Sequence, residues 1–168
     1  KNPLICRYLD MPVQHASDRV LKSMRRGMTA RTLRGLVQTI RERVPGIALR
    51  TTLIVGYPDE GEKEFEELLA FVREVRFERL GVFTYSIEDG TTSYELGDPI
   101  SAEDKERRKS LVMELQQEIY EEKNQEFVGT TQRVLIDRFE NGEFIGRTER
   151  DAPEIDNEVF VGGAEHLT

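Results

Sequence analysis

Thr51 to Val55 is an unbroken run of β-branched and aliphatic residues, followed at once by Gly56, Pro58 and the acidic pair Asp59-Glu60. That composition belongs to a strand buried on both faces, as in parallel sheets, and it restricts the chain to architectures in which helices cover a sheet. Gly56 removes the side chain at the strand's end and Pro58 fixes a turn. Asp59 and Glu60 stand where a helix begins, favourable against its positive N-terminal end. The two acids read either as complements of that dipole or as a general acid and base.

The flanking sequence supplies the helices. Leu4 to Leu9 reads as a first strand closed by Asp10-Met-Pro12, with a polar turn over Val13 to Ser17. Ser17 or Asp18 can cap a short helix carrying Val20, Leu21 and Met24, and Thr29 caps a longer one whose Leu33, Leu36, Val37, Ile40 and Val44 share a face. Pro45-Gly46 stops it. Glu62 to Arg76 places Phe65, Leu68, Leu69, Val72 and Val75 on one side, and Leu80 to Tyr85 makes a third strand. Strand, helix, strand, helix, strand in that order means parallel strands joined by right-handed crossovers, as in barrels or doubly wound sheets.

Ser86 to Ile100 is loop-like, and loops after parallel strands are where such folds keep their chemistry. Ser101 opens a helix running to about Val128, with Leu111, Val112, Leu115, Ile119, Phe127 and Val128 as its apolar stripe. Its charge predicts a helix on the outside of a domain or bridging two. Beyond Gly129 the period changes to two: Gln132 to Asp137, an Asn141-Gly142 turn, Phe144 to Arg147 and Glu158 to Val161 read as short strands. The expected organisation is a partial (β/α) barrel over residues 1–100, a linking helix over 101–129 and the start of a small all-β module over 130–168. Neither part has enough strands to close, so the chain reads as a fragment.

The chemistry is bounded by what is scarce. Cys6 is the only cysteine, and His15 and His166 are the only histidines, so no internal disulfide or multi-cysteine metal site can form and neither metal ligation nor a catalytic set is expected here. Cys6 is expected to be buried in its strand. His15 follows a strand, where ligand contact and a structural role are both open. Arg50 carries a permanent charge into a buried strand and needs a carboxylate from the protein or a ligand. The net charge of −8 argues against a nucleic-acid footprint. No apolar run reaches the ~18 residues of a membrane span and Lys1 to Leu9 lacks signal-peptide organisation, which predicts a cytoplasmic protein without membrane contact.

Three ordered motifs carry a resemblance: Leu9-Asp-Met-Pro-Val-Gln-His-Ala-Ser17, Arg50-Thr-Thr-Leu-Ile-Val-Gly-Tyr-Pro-Asp-Glu60 and Val82-Phe-Thr-Tyr-Ser-Ile-Glu-Asp-Gly-Thr91. Together they resemble the radical S-adenosylmethionine methylthiotransferases, and Asp151-Ala-Pro-Glu-Ile-Asp156 resembles the ribosomal-protein aspartate methylthiotransferase type more than its tRNA-modifying relatives. The resemblance implies an α/β fold, the second half of a radical-SAM partial (β/α) barrel of TIM-like kind, followed by a small, incomplete all-β module of TRAM type. It also implies replacement of C–H by C–S–CH3 at an aspartate β-carbon of a small-subunit ribosomal protein near the decoding centre. The complete enzyme would use S-adenosylmethionine and two 4Fe-4S clusters. The three-cysteine loop that binds the radical cluster is absent and Cys6 matches no cluster motif, so no cluster and no turnover are expected of this polypeptide alone.

By the same resemblance Gln14, His15, Ser17, Arg50, Thr52 and Gly56 are the candidate S-adenosylmethionine contacts, with residues 50, 52, 54 and 56 sharing one face by strand alternation. Tyr85, Ser86, Gly90 and Thr91 are the candidate wall of the substrate entrance, and Asp151, Glu154 and Asp156 candidate substrate contacts. Residues 130–168 hold nine acids against four arginines, a balance of −5, which suits a basic protein better than a phosphate backbone. The alternatives are tRNA methylthiolation, a docking module without chemistry, or an ordinary aldolase- or phosphate-binding α/β barrel.

Overall fold

The structure is a computed structural model that describes residues 4–163. Its first sheet joins β1 (Tyr8–Asp10), β2 (Ala48–Val55) and β3 (Arg79–Thr84) in that order, all parallel. Helices α1 (Asp18–Ser23) and α2 (Ala30–Arg43) lie between the first two strands in sequence, and α3 (Glu62–Val75) between the second and third. The long helix α4 (Ala102–Gln125) follows, then an antiparallel sheet of β4 (Leu135–Glu140), β5 (Glu143–Arg147) and β6 (Val159–Val161).

Strand alternation explains how β2 organises the first sheet. Leu49, Leu53 and Val55 are buried in one apolar core with Leu33 and Val37 of α2, Phe65, Leu68 and Val72 of α3, and Val112, Leu115 and Ile119 of α4. Thr51 shares that buried side and stays satisfied, because its hydroxyl donates to the Met11 carbonyl at 3.0 Å. Arg50, Thr52 and Ile54 alternate onto the opposite face and are half-buried. Two of the three helix-capping signals hold as hydrogen bonds: the Thr29 and Ser101 hydroxyls accept from the N–H groups of Thr32 and Asp104, whereas Ser17 takes the N-cap position of α1 without a side-chain cap.

The entry to β2 is fixed by Glu78, which accepts from the Leu49 N–H at 2.8 Å, Lys123 at 2.6 Å and Arg41 at 3.2 Å. Burial would raise this carboxyl. The hydrogen bonds from Lys123 and Leu49, with the charges of Lys123 and Arg41, outweigh burial and hold it below the usual carboxylate range.

Several boundaries differ from expectation. The first strand begins at Tyr8, and Cys6 precedes it and is exposed, so the expected burial of its thiol is corrected. β2 starts at Ala48, three residues before the β-branched run, because Ala48 and Leu49 pair with Tyr8 and Leu9. The apolar stripe of α4 is short: Leu111 and Val128 are exposed, whereas Lys105, Arg108 and Gln116 are buried. In the second sheet Asn141 and Gly142 both take positive φ, 52° and 87°, the conformation a two-residue hairpin turn requires. β4 begins at Leu135 rather than Gln132. Of the second sheet's large hydrophobics Ile145 is buried, while Leu135, Phe139 and Phe160 are exposed. No helix among the described residues is long and apolar enough to cross a membrane. His166 lies outside the described residues.

Candidate functional site

The carboxyl ends of the three parallel strands open onto a cavity of about 600 Å³ lined by Gln14, Thr52, Ile54, Tyr57, Tyr85 and Thr91, among others. Gln14 enters it from just past β1. Its N–H donates to the Thr52 carbonyl at 2.9 Å and its carbonyl accepts from the Ile54 N–H at 2.8 Å, a parallel bridge that extends the sheet beyond β1. It does so with φ of 70°, a left-handed conformation that is strained for a residue with a Cβ.

Thr52 and Ile54 form the floor. The opposite wall is the segment after β3: Ser86, Glu88, Thr91, Thr92 and Ser93 line the cavity, and the Tyr85 hydroxyl donates to the Ser93 carbonyl at 3.3 Å. The Tyr57 and Tyr85 rings meet edge to face with centroids 5.2 Å apart. An apolar base with hydroxyls and a carboxamide around its rim can hold a ligand that is flat and apolar at one end and polar at the other.

The candidate residues divide sharply. Gln14, Thr52, Tyr85, Ser86 and Thr91 are brought together around the cavity, and Gly90 lies exposed in the same loop. His15 is 0% exposed and does not line the cavity: its Nδ1 accepts from the Ser17 N–H at 2.9 Å, and its Nε2 lies 3.4 Å from Glu60 Oε2. An accepting Nδ1 puts the ring proton on Nε2, which is buried near that carboxylate without making a hydrogen bond to it. Ser17 is buried at the start of α1.

Arg50 finds its carboxylates inside the protein, Asp10 at 2.8 Å and Asp156 at 3.4 Å, while its guanidinium stands 3.5 Å from the Thr52 hydroxyl at the cavity floor. Gly56 has φ of 75°, and a Cβ added there would lie 2.3 Å from Lys105 Cγ. The side of Gly56 left open by the missing Cβ is therefore filled by a lysine stem.

Glu60 is the centre of a buried polar knot. It accepts from the Gly56 N–H at 2.9 Å and from Arg108 at 2.9 Å, and Arg108 also donates to the Glu60 carbonyl at 2.8 Å. Asp59 instead pairs with the Ser23 hydroxyl and with Arg19 at 3.7 Å. Of the two readings of these acids, a structural one describes their contacts: both hold the turn after β2 against neighbouring elements.

The second sheet is latched to the first by the hexapeptide. Asp151 pairs with Arg79, whose guanidinium also stacks on Tyr120, and Asp156 accepts from the Tyr8 hydroxyl at 2.7 Å besides meeting Arg50. Both aspartate side chains are only 4% exposed. Burial and the hydrogen bond to Asp156 push the Tyr8 phenol well above its ordinary range. Glu154 remains exposed. The sequence missed Arg26 and Tyr57 as lining residues, and it missed Lys105 and Arg108 behind them. The signal for Lys105 and Arg108 was faint: both lie in the first two turns of α4, ahead of its apolar stripe.

Comparison with known proteins assigns the architecture. Residues 128–168 match the TRAM domain model. A solved structure of coproporphyrinogen III oxidase from Escherichia coli, described as a radical SAM enzyme, superposes on 76% of this chain and 27% of its own, with a TM-score of 0.50 and 21% identity. At that identity the likeness speaks for fold alone, and it defines the class: an α/β chain that shares the fold of part of that structure and carries a TRAM domain.

The sequence relatives narrow the class. A ribosomal protein uS12 methylthiotransferase RimO from Chloroherpeton thalassium is 57% identical over 157 residues, covering 94% of this chain and 36% of the relative. Those of Cytophaga hutchinsonii and Flavobacterium psychrophilum are 53% and 49% identical, covering 96% and 99% of this chain but 37% and 38% of theirs. The chain belongs to the RimO methylthiotransferase family and spans somewhat over a third of the length of these relatives.

Proposed function

We propose that this chain is part of a methylthiotransferase acting on ribosomal protein uS12, and that its cavity is one wall of the S-adenosylmethionine site. The observation that carries the reading is the match to RimO proteins across nearly the whole chain, together with a cavity at the carboxyl ends of the parallel strands. Residues 1–100 act as the second half of a radical-SAM barrel, 101–129 as the helix that closes it, and 130–168 as a TRAM module. The protein works in the cytoplasm, where its ribosomal substrate is made.

The residues present fit S-adenosylmethionine and do not fit an iron–sulfur cluster. The cavity offers aromatic and aliphatic surface from Tyr57, Tyr85 and Ile54 with polar contacts from Gln14 and Thr52, which matches an adenosyl group with a charged, hydrogen-bonding tail. A cluster needs several thiolates, and the lone Cys6 cannot supply them. In the complete enzyme one S-adenosylmethionine would supply the methyl group, and a second, cleaved reductively, would supply the radical chemistry that activates the substrate C–H bond. Gln14 and Thr52 orient the cofactor and Ser86, Gly90 and Thr91 border the substrate entrance. His15, Ser17, Arg50 and Gly56 act from behind the wall by holding its backbone. By itself the polypeptide has no turnover.

The acidic TRAM module suits a basic ribosomal protein, with exposed Glu154 available where Asp151 and Asp156 are engaged internally and Glu158 is paired with Arg138. The test uses the intact enzyme. Gln14→Ala and Thr52→Val are expected to slow reductive S-adenosylmethionine cleavage about tenfold or more, as loss of a positioned hydrogen bond does. Unchanged cleavage in both variants would remove the cavity from the site. Salt-sensitive binding to tRNA that exceeds binding to uS12 would favour the tRNA-modifying alternative.

A further inference from the structure

One buried ammonium holds both ends of the loop that makes the cavity wall. Lys105, in the first turn of α4, is 6% exposed. Its Nζ donates to the Tyr85 carbonyl at 2.9 Å and to Asp98 at 2.5 Å, and lies 5.5 Å from the Tyr85 ring centroid. Tyr85 is the first residue after β3, and Asp98 comes just before α4. The intervening residues 86–97 include Ser86, Glu88, Thr91, Thr92 and Ser93 of the cavity wall.

That loop has little else to fix it. Residues 86–92 and 94–96 are exposed, so the loop buries almost no apolar surface. Its own bonds are short-range: a single 3-10 turn over Tyr94–Leu96, backbone bonds three residues apart from Thr91 to Gly97, the Thr91 hydroxyl to the Glu88 carbonyl at 2.8 Å and the Tyr85 hydroxyl to the Ser93 carbonyl. Segments of this kind open locally at small free energy unless tied at their ends. Lys105 ties them, because removing the ammonium leaves the Asp98 carboxylate and the Tyr85 carbonyl without their shared donor. The lysine is built into place: its methylene stem lies across Gly56, where any Cβ would collide with it. The invasive position of the stem explains why the β2 turn has glycine there.

We propose that Lys105 is a positioning residue, an ammonium that closes the Tyr85–Asp98 loop into the cavity wall and thereby sets ligand affinity at that wall. The proposal rests on the cavity being the ligand site, and its test separates the two. Hydrogen exchange and S-adenosylmethionine binding are measured on the intact protein with Lys105→Met, which keeps a long apolar stem over Gly56 and removes the charge, with Asp98→Asn, and with Lys109→Met as a control on the same helix. Lys105→Met is expected to speed exchange across residues 86–97 roughly tenfold or more, the scale of losing charge-assisted hydrogen bonds. Amides of β2 and the middle of α4 keep their wild-type rates, and affinity for S-adenosylmethionine falls about tenfold. Asp98→Asn gives a smaller shift in the same segment, and Lys109→Met gives none.

Unchanged exchange in the loop overturns the proposal. So does faster exchange spread evenly over α4 and β2, which marks a merely structural peg, or unchanged affinity in a variant whose loop has loosened. Failure of the intact wild-type protein to bind S-adenosylmethionine would instead overturn the reading of the cavity, while the exchange data still decide whether Lys105 holds the loop.

Discussion

Glu60→Ala tests whether the turn after β2 is held by the buried knot or by its backbone alone. The substitution removes the acceptor of the Gly56 N–H and the partner of Arg108, which is 5% exposed. Breaking a buried pair from one side generally costs about 3–5 kcal/mol, because the remaining charge is left uncompensated. Arg108 keeps the Glu60 carbonyl at 2.8 Å, stays 3.7 Å from the Glu62 carboxylate and stacks on Phe65 with its guanidinium carbon 5.4 Å from the ring centroid, so the lower end applies. A loss of about 3 kcal/mol is expected, a large share of the ~5–15 kcal/mol that separates folded from unfolded domains. The assay is urea unfolding of wild type, Glu60→Ala, Arg108→Ala and the double variant. Their double-mutant cycle should return a coupling of about 1.5 kcal/mol or more, since the two side chains share one desolvated contact. A coupling below about 0.5 kcal/mol would show that the pair is incidental and that the Pro58 turn holds itself.

Three further outcomes follow from the same geometry. Gly56→Ala should destabilise by more than about 2 kcal/mol in thermal unfolding, from a left-handed φ and collision with the Lys105 stem; made in a Lys105→Ala background, and measured against that background, it should cost only about 1–2 kcal/mol. Glu78 has a folded pKa below its ordinary 4.5, so its contribution is full above pH 4.5 and is lost as pH falls through the lowered value. The stability gap between wild type and Glu78→Gln should accordingly be wide at pH 7 and narrow below pH 4.5 in urea titrations; a gap that widens on acidification would contradict the assignment. Asp151→Ala and Asp156→Ala should each loosen the latch by about 1.5–3 kcal/mol, seen as faster proteolysis between α4 and β4, and equal proteolysis of wild type and the double variant would exclude the latch.

Periodicity and turn chemistry made most of the fold legible in the sequence. The 3.6-residue spacing of Phe65, Leu68, Leu69 and Val72 and the hydroxyl caps at Thr29 and Ser101 matched helices that begin where expected. β1 was placed too early because Leu4 and Ile5 are as apolar as a strand yet lie exposed outside the sheet. Strand alternation placed Thr52 and Ile54 on the cavity side, whereas Arg50 and Gly56, read onto the same face, do not line the cavity. Long-range partners were not legible, because a charged residue's pattern is the same whether it faces water or a carboxylate 40 residues away.

The sequence alone determined the order of elements, the parallel sheet and the membership of the RimO family, since these rest on local period and on motifs read along the chain. Tertiary structure decided what the polar residues do. His15 and Glu60 became a buried brace, Asp151 and Asp156 a latch to Arg79 and Arg50, and Lys105 the tie for the loop beside Gly56. Each depends on two distant segments being folded to within hydrogen-bonding distance, and the energy of a buried charge is set by those partners and by exclusion of water. Neither has a trace in local sequence.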